Sequence, residues 1–244
     1  MVELVAHRGY AERFPENTLP ALEGALTAGA RYLEVDVQLT ADGVPVLFHD
    51  ADCLRLCGVR GSIASRSHAA LKALSVFHPE RFGERFRGTP LATLEDLAAF
   101  IARHPEITVF VEIKRVAMVR SGAEAAVQAT YRVLQPVLAQ TVLISFVPAV
   151  LVAARPLWPR IGFIATRYGE LATPDVRALG CAFHFCKFEK LPRAGALDHD
   201  TPLVVYEIGD VERARALRAR GVAFIETFRF AEIRAALEAE APVS

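Results

Sequence analysis

One stretch of the chain, residues 33–50 with the sequence LEVDVQLTADGVPVLFHD, restricts the possible folds more than any other. It begins as a β-branched run in which Glu34 and Asp36 are two residues apart. Because successive side chains of a strand point to opposite faces, both carboxylates would lie on the same face. Two carboxylates brought together in this way either hold a hard cation or shift each other's pKa values.

The second half of the stretch predicts a return of the chain alongside the first half. Residues 41–43 (Ala-Asp-Gly) are typical of a turn, and residues 44–48 are typical of a second strand. If the two runs form a hairpin, the returning strand brings His49 and Asp50 beside the carboxylates. Two acids and an imidazole would then share one small volume.

The rest of the chain predicts an alternation of strands and helices. Besides 4–7 and the hairpin, the predicted strands are 107–113, 142–146, 160–165, 181–186, 202–208 and 222–227. The predicted helices are 19–28, 94–103, 122–138, 148–156, 170–179, 188–197, 210–220 and 230–239. Apolar strands that alternate with helices form parallel sheets, and eight such units within about 250 residues predict an α/β fold, the (β/α)₈ TIM barrel. The alternative, an open doubly wound sheet, lacks the G-x-G-x-x-G sequence after its first strand.

Residues 1–244 are expected to form a single domain, since 52% of the chain is hydrophobic and its length is sufficient for one large core. Residues 51–92 differ from the rest because they are rich in Gly, Arg and Ser and show little periodicity. This segment is too long for an ordinary connection, so we interpret it as a small insertion after the second-strand hairpin. One helix is expected within it, around 67–74.

The charge balance and the apolar runs limit the possible partners. Lys plus Arg and Asp plus Glu each number 28, so no basic stripe supports a nucleic-acid partner. The longest apolar run, 142–154, is interrupted by Ser145 and Pro148, and no membrane span is predicted. The start MVELVAHRGY contains an acid and is not typical of a signal peptide, so we expect a cytoplasmic location. Both a monomer and a homodimer remain possible.

Several polar residues end strands that are otherwise apolar, and in a barrel these ends meet at one face. Glu112 and Lys114 share a face of their strand, which alone would be explained by a structural ion pair. Together with Glu34 and Asp36, however, Glu112 completes a set of three converging carboxylates. With no cysteine or histidine cluster among them, these acids suit Mg²⁺ or Ca²⁺.

Histidines and cations are predicted to flank this acidic cluster. His7 and His49 are candidates for general acid–base catalysis, although a lone strand-end histidine more often has a structural role. Arg8 and Lys114 would face the same mouth and could neutralise a phosphate. Phe146 could provide an apolar wall or could simply pack. The combination predicts metal-assisted phosphoryl transfer.

Five motifs of the chain resemble those of the glycerophosphodiester phosphodiesterase family. They are HRG at 7–9, PENT at 15–18, EVDVQLTADGVPVLFHD at 34–50, TLEDL at 93–97 and EIK at 112–114. The resemblance implies a phospholipase-C-like barrel that cleaves a small glycerophosphodiester into sn-glycerol 3-phosphate and an alcohol. The implied roles are metal binding by Glu34, Asp36 and Glu112, acid–base catalysis by His7 and His49, and phosphate or substrate binding by Arg8 and Lys114.

The second half of the chain departs from the family pattern at two strands. Where members often have a Trp-Thr-Val-Asn-like stretch, this chain has Tyr206-Glu207-Ile208-Gly209, and Tyr206 would keep an aromatic wall. Where members often have Thr-Asp, it has Glu226-Thr227-Phe228. Glu207 and Glu226 could favour a cationic head group such as choline, or they could be solvated rim charges. A lysophospholipase D-like activity, another phosphodiesterase activity and a non-catalytic phosphate-binding barrel remain as alternative functions.

Overall fold

The structure, a computed structural model, describes residues 2–119, 121–197 and 200–239, and it confirms the (β/α)₈ TIM barrel. Eight parallel strands pair in the order β1-β2-β4-β5-β6-β7-β8-β9, and β9 pairs with β1 to close the barrel. The strands are β1 (Glu3–Ala6), β2 (Tyr32–Leu39), β3 (Pro45–Leu47), β4 (Thr108–Ile113), β5 (Thr141–Ser145), β6 (Ile161–Ala165), β7 (Phe183–Lys187), β8 (Leu203–Tyr206) and β9 (Phe224–Thr227).

The helices cover the outside of the barrel or lie in the insertion. They are α1 (Leu19–Thr27), α2 (Leu54–Cys57), α3 (His68–Leu71), α4 (Pro79–Phe82), α5 (Leu94–Ala102), α6 (Gly122–Leu134), α7 (Pro148–Ala154), α8 (Pro174–Ala178), α9 (Val211–Ala219) and α10 (Phe230–Glu238). Within the described part of the chain, none of them has both the length and the apolar composition of a bilayer span.

Outside the insertion, three helix predictions were wrong in extent. The predicted helix 122–138 changes into a 3₁₀ segment after Leu134, where Pro136 lacks the N–H that would continue the α-helix. The predicted helix 170–179 is a 3₁₀ turn, Tyr168–Ala172, followed by the short α8. The predicted helix 188–197 is a single 3₁₀ turn, Phe188–Lys190, because Pro192 and Gly195 disfavour further helix.

The hairpin within residues 33–50 forms as predicted. Strand β3 lies antiparallel to β2, with Val37 opposite Leu47. Strand β2 also pairs in parallel with β1 and β4, and the register with β4 sets Asp36 directly beside Glu112. The carboxylates of two neighbouring strands therefore reach the same end of the barrel.

The insertion has a small hydrophobic core of its own, shared with the hairpin arm. Its buried members are Val46, Phe48, Cys53, Leu56, Cys57, Ile63, Leu71, Val76 and Leu91. Where one helix was predicted around 67–74, the structure has α3 over only four residues, together with α2 and α4 elsewhere in the segment. Packing against the hairpin, rather than helical periodicity, organises this segment.

The turn after β1 depends on Gly9, which has φ +78°. A Cβ atom at this position would lie 2.7 Å from the backbone carbonyl of Ala21 in α1. We expect Gly9→Ala to lower the free energy of unfolding by about 2–4 kcal/mol, because it adds both backbone strain and a clash with backbone atoms. Chemical denaturation would measure this change.

The matched control is Gly43→Ala, since Gly43 also has a positive φ (+79°) but no atom within 4 Å of the added Cβ. Only the strain remains there, so we expect a loss of about 1 kcal/mol. Equal losses in the two variants would contradict the close approach of Gly9 to α1.

Candidate active site

A cavity of about 70 Å³ lies at the carboxyl ends of the barrel strands. It is lined by His7, Arg8, Glu34, His49, Glu112, Lys114, Ile144, Phe146, Ile164, Phe185, Tyr206, Glu207 and Glu226. Eight of the nine residues that we predicted to form the site are among them, and the ninth, Asp36, adjoins Glu34 and Glu112. Larger cavities occur elsewhere, but the lining of the one at the opposite end of the barrel contains no histidine, and its two acids, Glu3 and Glu238, are exposed.

The three predicted metal ligands lie together. One oxygen each of Glu34, Asp36 and Glu112 falls within 4.8 Å of the others, and all three side chains are buried. Oε1 of Glu34 accepts no hydrogen bond from the described residues, and Oδ1 of Asp36 accepts none either but lies 3.3 Å from Nζ of Lys114. Buried carboxylate oxygens are costly without a partner, so this donor set fits an oxygen-preferring divalent cation.

Burial and neighbouring charges shift the pKa values of these three carboxyl groups. Burial raises the pKa of Glu34 well above its ordinary value, and the negative charges of Asp36 and Glu226 raise it further. Burial also raises the pKa of Glu112, although the charge of Lys114 opposes the shift. Burial alone would raise the pKa of Asp36 too, but the charges of Arg8 and Lys114 outweigh it and hold that pKa well below its ordinary range. A bound cation would favour the ionised form of all three.

Asn17 orients Asp36 from the loop before α1. Its side-chain amide donates to Oδ2 of Asp36 at 2.8 Å, and its Oδ1 accepts from the backbone N–H of Asp36 at 3.0 Å. Asn17 and Thr18 both precede α1, and both residue types commonly cap helices. Thr18 is the cap, since its hydroxyl accepts from the N–H of Ala21, and Asn17 belongs to the site.

Arg8 is held in place on three sides. Its backbone has φ +56°, an unusual conformation for a residue other than glycine, and its N–H donates to Oε2 of Glu34 at 3.1 Å. Its guanidinium lies 3.1 Å from Oδ2 of Asp36 and donates to Oε1 of Glu16 at 2.7 Å. Strained backbone that the surroundings enforce is common at functional sites.

Lys114 forms the second cationic group of the cavity. Its Nζ lies 3.0 Å from Oε1 of Glu112 and 3.3 Å from Oδ1 of Asp36. Burial lowers the pKa of Lys114, but the charges of these two acids outweigh it and the net shift is upward. The predicted pair between Glu112 and Lys114 therefore exists within the acidic cluster rather than apart from it.

His49 is oriented by its neighbour in sequence. Its Nδ1 lies 2.8 Å from Oδ1 of Asp50, which leaves Nε2 as the nitrogen available to a ligand. The backbone on both sides is fixed by Gln38, whose side-chain amide donates to the carbonyls of Phe48 and Asp50. Histidine–carboxylate pairs of this kind fix the ring for proton transfer.

His7 has a different and fully buried environment. Its Nε2 lies 3.2 Å from Oε1 of Glu226 and 3.7 Å from Oε2 of Glu34, and its ring stacks on Phe228 at 4.3 Å. Burial lowers the pKa of His7 well below its ordinary value, and the charge of Arg8 lowers it further. A neutral ring of this kind can accept a proton.

The two acids of the divergent strands have partners. Oε2 of Glu207 lies 2.6 Å from Nζ of Lys187, and both side chains are about one-third exposed. Glu226 is buried against His7, and burial raises its pKa well above the ordinary value. Glu226 is therefore not a solvated rim charge, and Glu207 forms an ion pair on the rim.

A sequence model of the glycerophosphoryl diester phosphodiesterase family matches residues 7–227. The chain belongs to this family. Glycerophosphodiester phosphodiesterase 1 of Mus musculus is 30% identical over 154 residues, which are 63% of this chain and 45% of the mouse protein. A glycerophosphodiester phosphodiesterase of Bacillus altitudinis is 32% identical over 114 residues, 47% of this chain and 46% of that protein. The chain thus spans less than half the length of these curated relatives.

Solved structures from the glycerophosphodiester phosphodiesterase family share the fold over nearly the whole chain. A phosphodiesterase from Oleispira antarctica, solved with the product sn-glycerol-3-phosphate, superimposes with a TM-score of 0.83 at 23% identity. The superposition covers 97% of this chain and 96% of that structure. The family generally uses a divalent metal, and this chain has acidic groups that could hold one.

Glu16, Asn17, Arg55 and Phe228 are among the residues near the site that we did not predict to be functional. Glu16 and Asn17 lie in the PENT motif, which contributed to the family resemblance but to which we assigned no role in the site. Arg55 lies in the insertion, and Phe228 stands where a family aspartate was expected. PENT was a usable signal, because a buried acid and amide before a helix cap need partners. Nothing local to Arg55 indicated which acids it would bind.

Proposed function

We propose that this protein hydrolyses glycerophosphodiesters to sn-glycerol 3-phosphate and an alcohol in a metal-dependent reaction with two histidines as general acid and base. The observation that carries the proposal is the gathering of two histidines, three carboxylates and two cations in and beside one cavity of a barrel of this family. The Oleispira antarctica structure, which holds sn-glycerol-3-phosphate, supports the same substrate class.

Glu34, Asp36 and Glu112 would hold the metal, and their oxygen donors fit Mg²⁺ or Ca²⁺. When bound, such an ion neutralises negative charge that develops on the phosphoryl oxygens. Arg8 and Lys114 add fixed positive charge at the same wall, and both are tied to carboxylates that keep them from turning outward. Phosphate binding would therefore require little rearrangement of the protein.

The histidines would divide the proton transfers. His49, with Nδ1 held by Asp50, presents Nε2 for exchange of a proton with the reacting oxygen. His7, buried and neutral, would accept or return the other proton, while stacking on Phe228 fixes its plane. Phe146 and Tyr206 would form the wall against the glycerol or alcohol portion.

Nothing in the described residues specifically favours a lysophospholipid substrate, a purely binding role or a cationic head group. A lysophospholipid substrate would need an open apolar groove, but Phe82 and Phe86 of the insertion pack on each other and Phe86 packs on Phe14. A purely binding role would not need the His49–Asp50 pair. A preference for a cationic head group would need a free acid, and Glu207 is occupied by Lys187.

The test is hydrolysis of glycerophosphocholine with coupled detection of glycerol 3-phosphate. We expect release in the presence of Mg²⁺ or Ca²⁺, a loss of at least about 100-fold after EDTA treatment, and recovery when the metal is restored. Glycerophosphoglycerol should be tested in parallel. If folded protein releases no glycerol 3-phosphate from either substrate with either metal, the proposed function is wrong.

A further inference from the structure

Arg55 of α2, within the insertion, donates hydrogen bonds to two carboxylates that border the site, Asp50 and Glu16. We propose that Arg55 is a positioning residue that holds the catalytic His49 and the phosphate-binding Arg8 in fixed relation through Asp50 and Glu16. The proposal rests on the proposed function, because it assigns Arg55 a role in that reaction.

The first link joins Arg55 to the carboxylate behind His49. Nε of Arg55 donates to Oδ2 of Asp50 at 2.7 Å, and Nη2 donates to Oδ1 at 2.8 Å. The same Oδ1 lies 2.8 Å from Nδ1 of His49. Asp50 therefore cannot rotate to follow the imidazole without breaking two charged hydrogen bonds.

The second link joins the same guanidinium to the carboxylate behind Arg8. Nη1 of Arg55 donates to Oε2 of Glu16 at 2.8 Å, and Nη2 donates to Oε1 at 2.7 Å. Oε1 of Glu16 also accepts from Nη1 of Arg8 at 2.7 Å. Glu16 is buried, and hydrogen bonds from Arg55 together with the charge of Arg8 outweigh the effect of burial and lower its pKa.

An unbroken path of hydrogen bonds and ion pairs therefore runs from His49 through Asp50, Arg55 and Glu16 to Arg8. The two ends of this path line the cavity, whereas Arg55 does not. Its helix is anchored by the insertion core, since Leu56 and Cys57 are buried and the carbonyl of Leu56 accepts from the N–H groups of Phe77 and His78.

Only arginine can make this connection, because its planar fork serves two carboxylates bidentately at once. A lysine would keep the positive charge but could not align both acids. Displacements of about 1 Å at catalytic groups can cost about 100-fold in rate. We therefore expect Arg55→Lys to lower kcat by about 10- to 100-fold, although lysine keeps the positive charge. KM should rise as well, because Arg8, which binds the phosphate, is no longer held in place.

The experiment compares the wild type with R55K, R55Q and the control R60Q. Arg60 is an exposed arginine of the same insertion and should be replaceable without effect on kcat or KM. The readouts are kcat and KM with glycerophosphocholine, thermal unfolding, and ¹⁵N NMR of the histidine rings. The His49 signals are assigned by their absence in His49→Ala. R55K retains the charge and the aliphatic stem, so it remains informative if R55Q fails to fold.

The expected result is a folded R55K variant with reduced kcat and a His49 Nδ1–H signal that is protected in the wild type and R60Q but lost in R55K. If either kcat or the His49 signal of R55K equals that of the wild type, the positioning role is wrong. If the wild type itself hydrolyses no phosphodiester, the proposed function fails. The NMR comparison then decides separately whether Arg55 fixes His49.

Discussion

Replacing His49 with alanine should lower kcat by about 10²–10⁴-fold while leaving the fold intact. His49 presents Nε2 to the cavity and is held by Asp50 on its other side. Its side chain is 31% exposed, so its removal leaves no buried void. KM should change far less than kcat, because Arg8 and Lys114 still provide the positive charge for phosphate.

The measurement is steady-state hydrolysis of glycerophosphocholine at saturating metal. His68→Ala is the control, since His68 lies in the insertion and does not line the cavity. It should retain the kcat of the wild type. A His49→Ala variant with unchanged kcat would exclude His49 as the acid or base. A raised KM with unchanged kcat would make it a binding residue instead.

The second large effect is expected for Glu34→Gln, which should weaken divalent metal binding by at least about 10- to 100-fold and reduce activity correspondingly. Glu34 supplies a buried oxygen with no hydrogen-bond partner among the described residues, and it lies close to both Asp36 and Glu226. Glutamine keeps the size of the side chain and one carbonyl oxygen but removes the negative charge. Isothermal titration calorimetry with Mg²⁺ and Ca²⁺ would measure the loss.

In the metal-free protein, by contrast, the same substitution should benefit the stability of the fold at higher pH. The folded-state pKa of Glu34 is raised, so its protonated form stabilises the fold below the ordinary carboxyl pKa, and this contribution disappears as the pH rises through the raised value. Without metal, the free energy of unfolding of Glu34→Gln should therefore decline less between pH 5 and pH 8 than that of the wild type. Metal addition should stabilise the wild type most at the upper end of this range.

Denaturant titrations across this pH range, with and without metal, would test both parts. Glu23→Gln is the control, because Glu23 is an exposed acid of α1 and its loss should alter neither quantity. If Glu34→Gln binds metal like the wild type, Glu34 is not a ligand. If the pH dependence of its metal-free stability is also unchanged, burial and the neighbouring carboxylates do not raise the pKa of Glu34 in the folded protein.

The sequence predicted the parts of the fold that short-range patterns determine. The spacing of Glu34 and Asp36 in an alternating strand, and the turn around 41–43, were enough to predict the hairpin and the convergence of acids. The alternation of apolar strands with helices was also sufficient to predict the barrel. Helix ends were less predictable, because Pro136 and Pro192 compete with otherwise helical patterns and the outcome depends on packing.

The partners of the site residues were harder to predict because they come from distant positions. Arg55 contacts Glu16 across 39 residues, and Glu226 reaches His7 only because the barrel closes β9 onto β1. The sequence indicated that Glu226 ends an apolar strand. That it faces the imidazole of His7 depends on the pairing of β9 with β1. Phe228 was noted as a departure, and its stacking on His7 depends on the same closure.

The separate core of the insertion has a consequence for how members of such a family can diverge. The buried side chains of 51–92 pack on the hairpin arm and on one another, whereas the barrel interior is filled by an independent set that includes Phe110 and Phe185. Mutational drift or changes of length beyond α2 can therefore accumulate without repacking the barrel. The insertion can therefore be replaced without changing the barrel. The constraint is that a replacement must keep Arg55 and its contacts with Asp50 and Glu16.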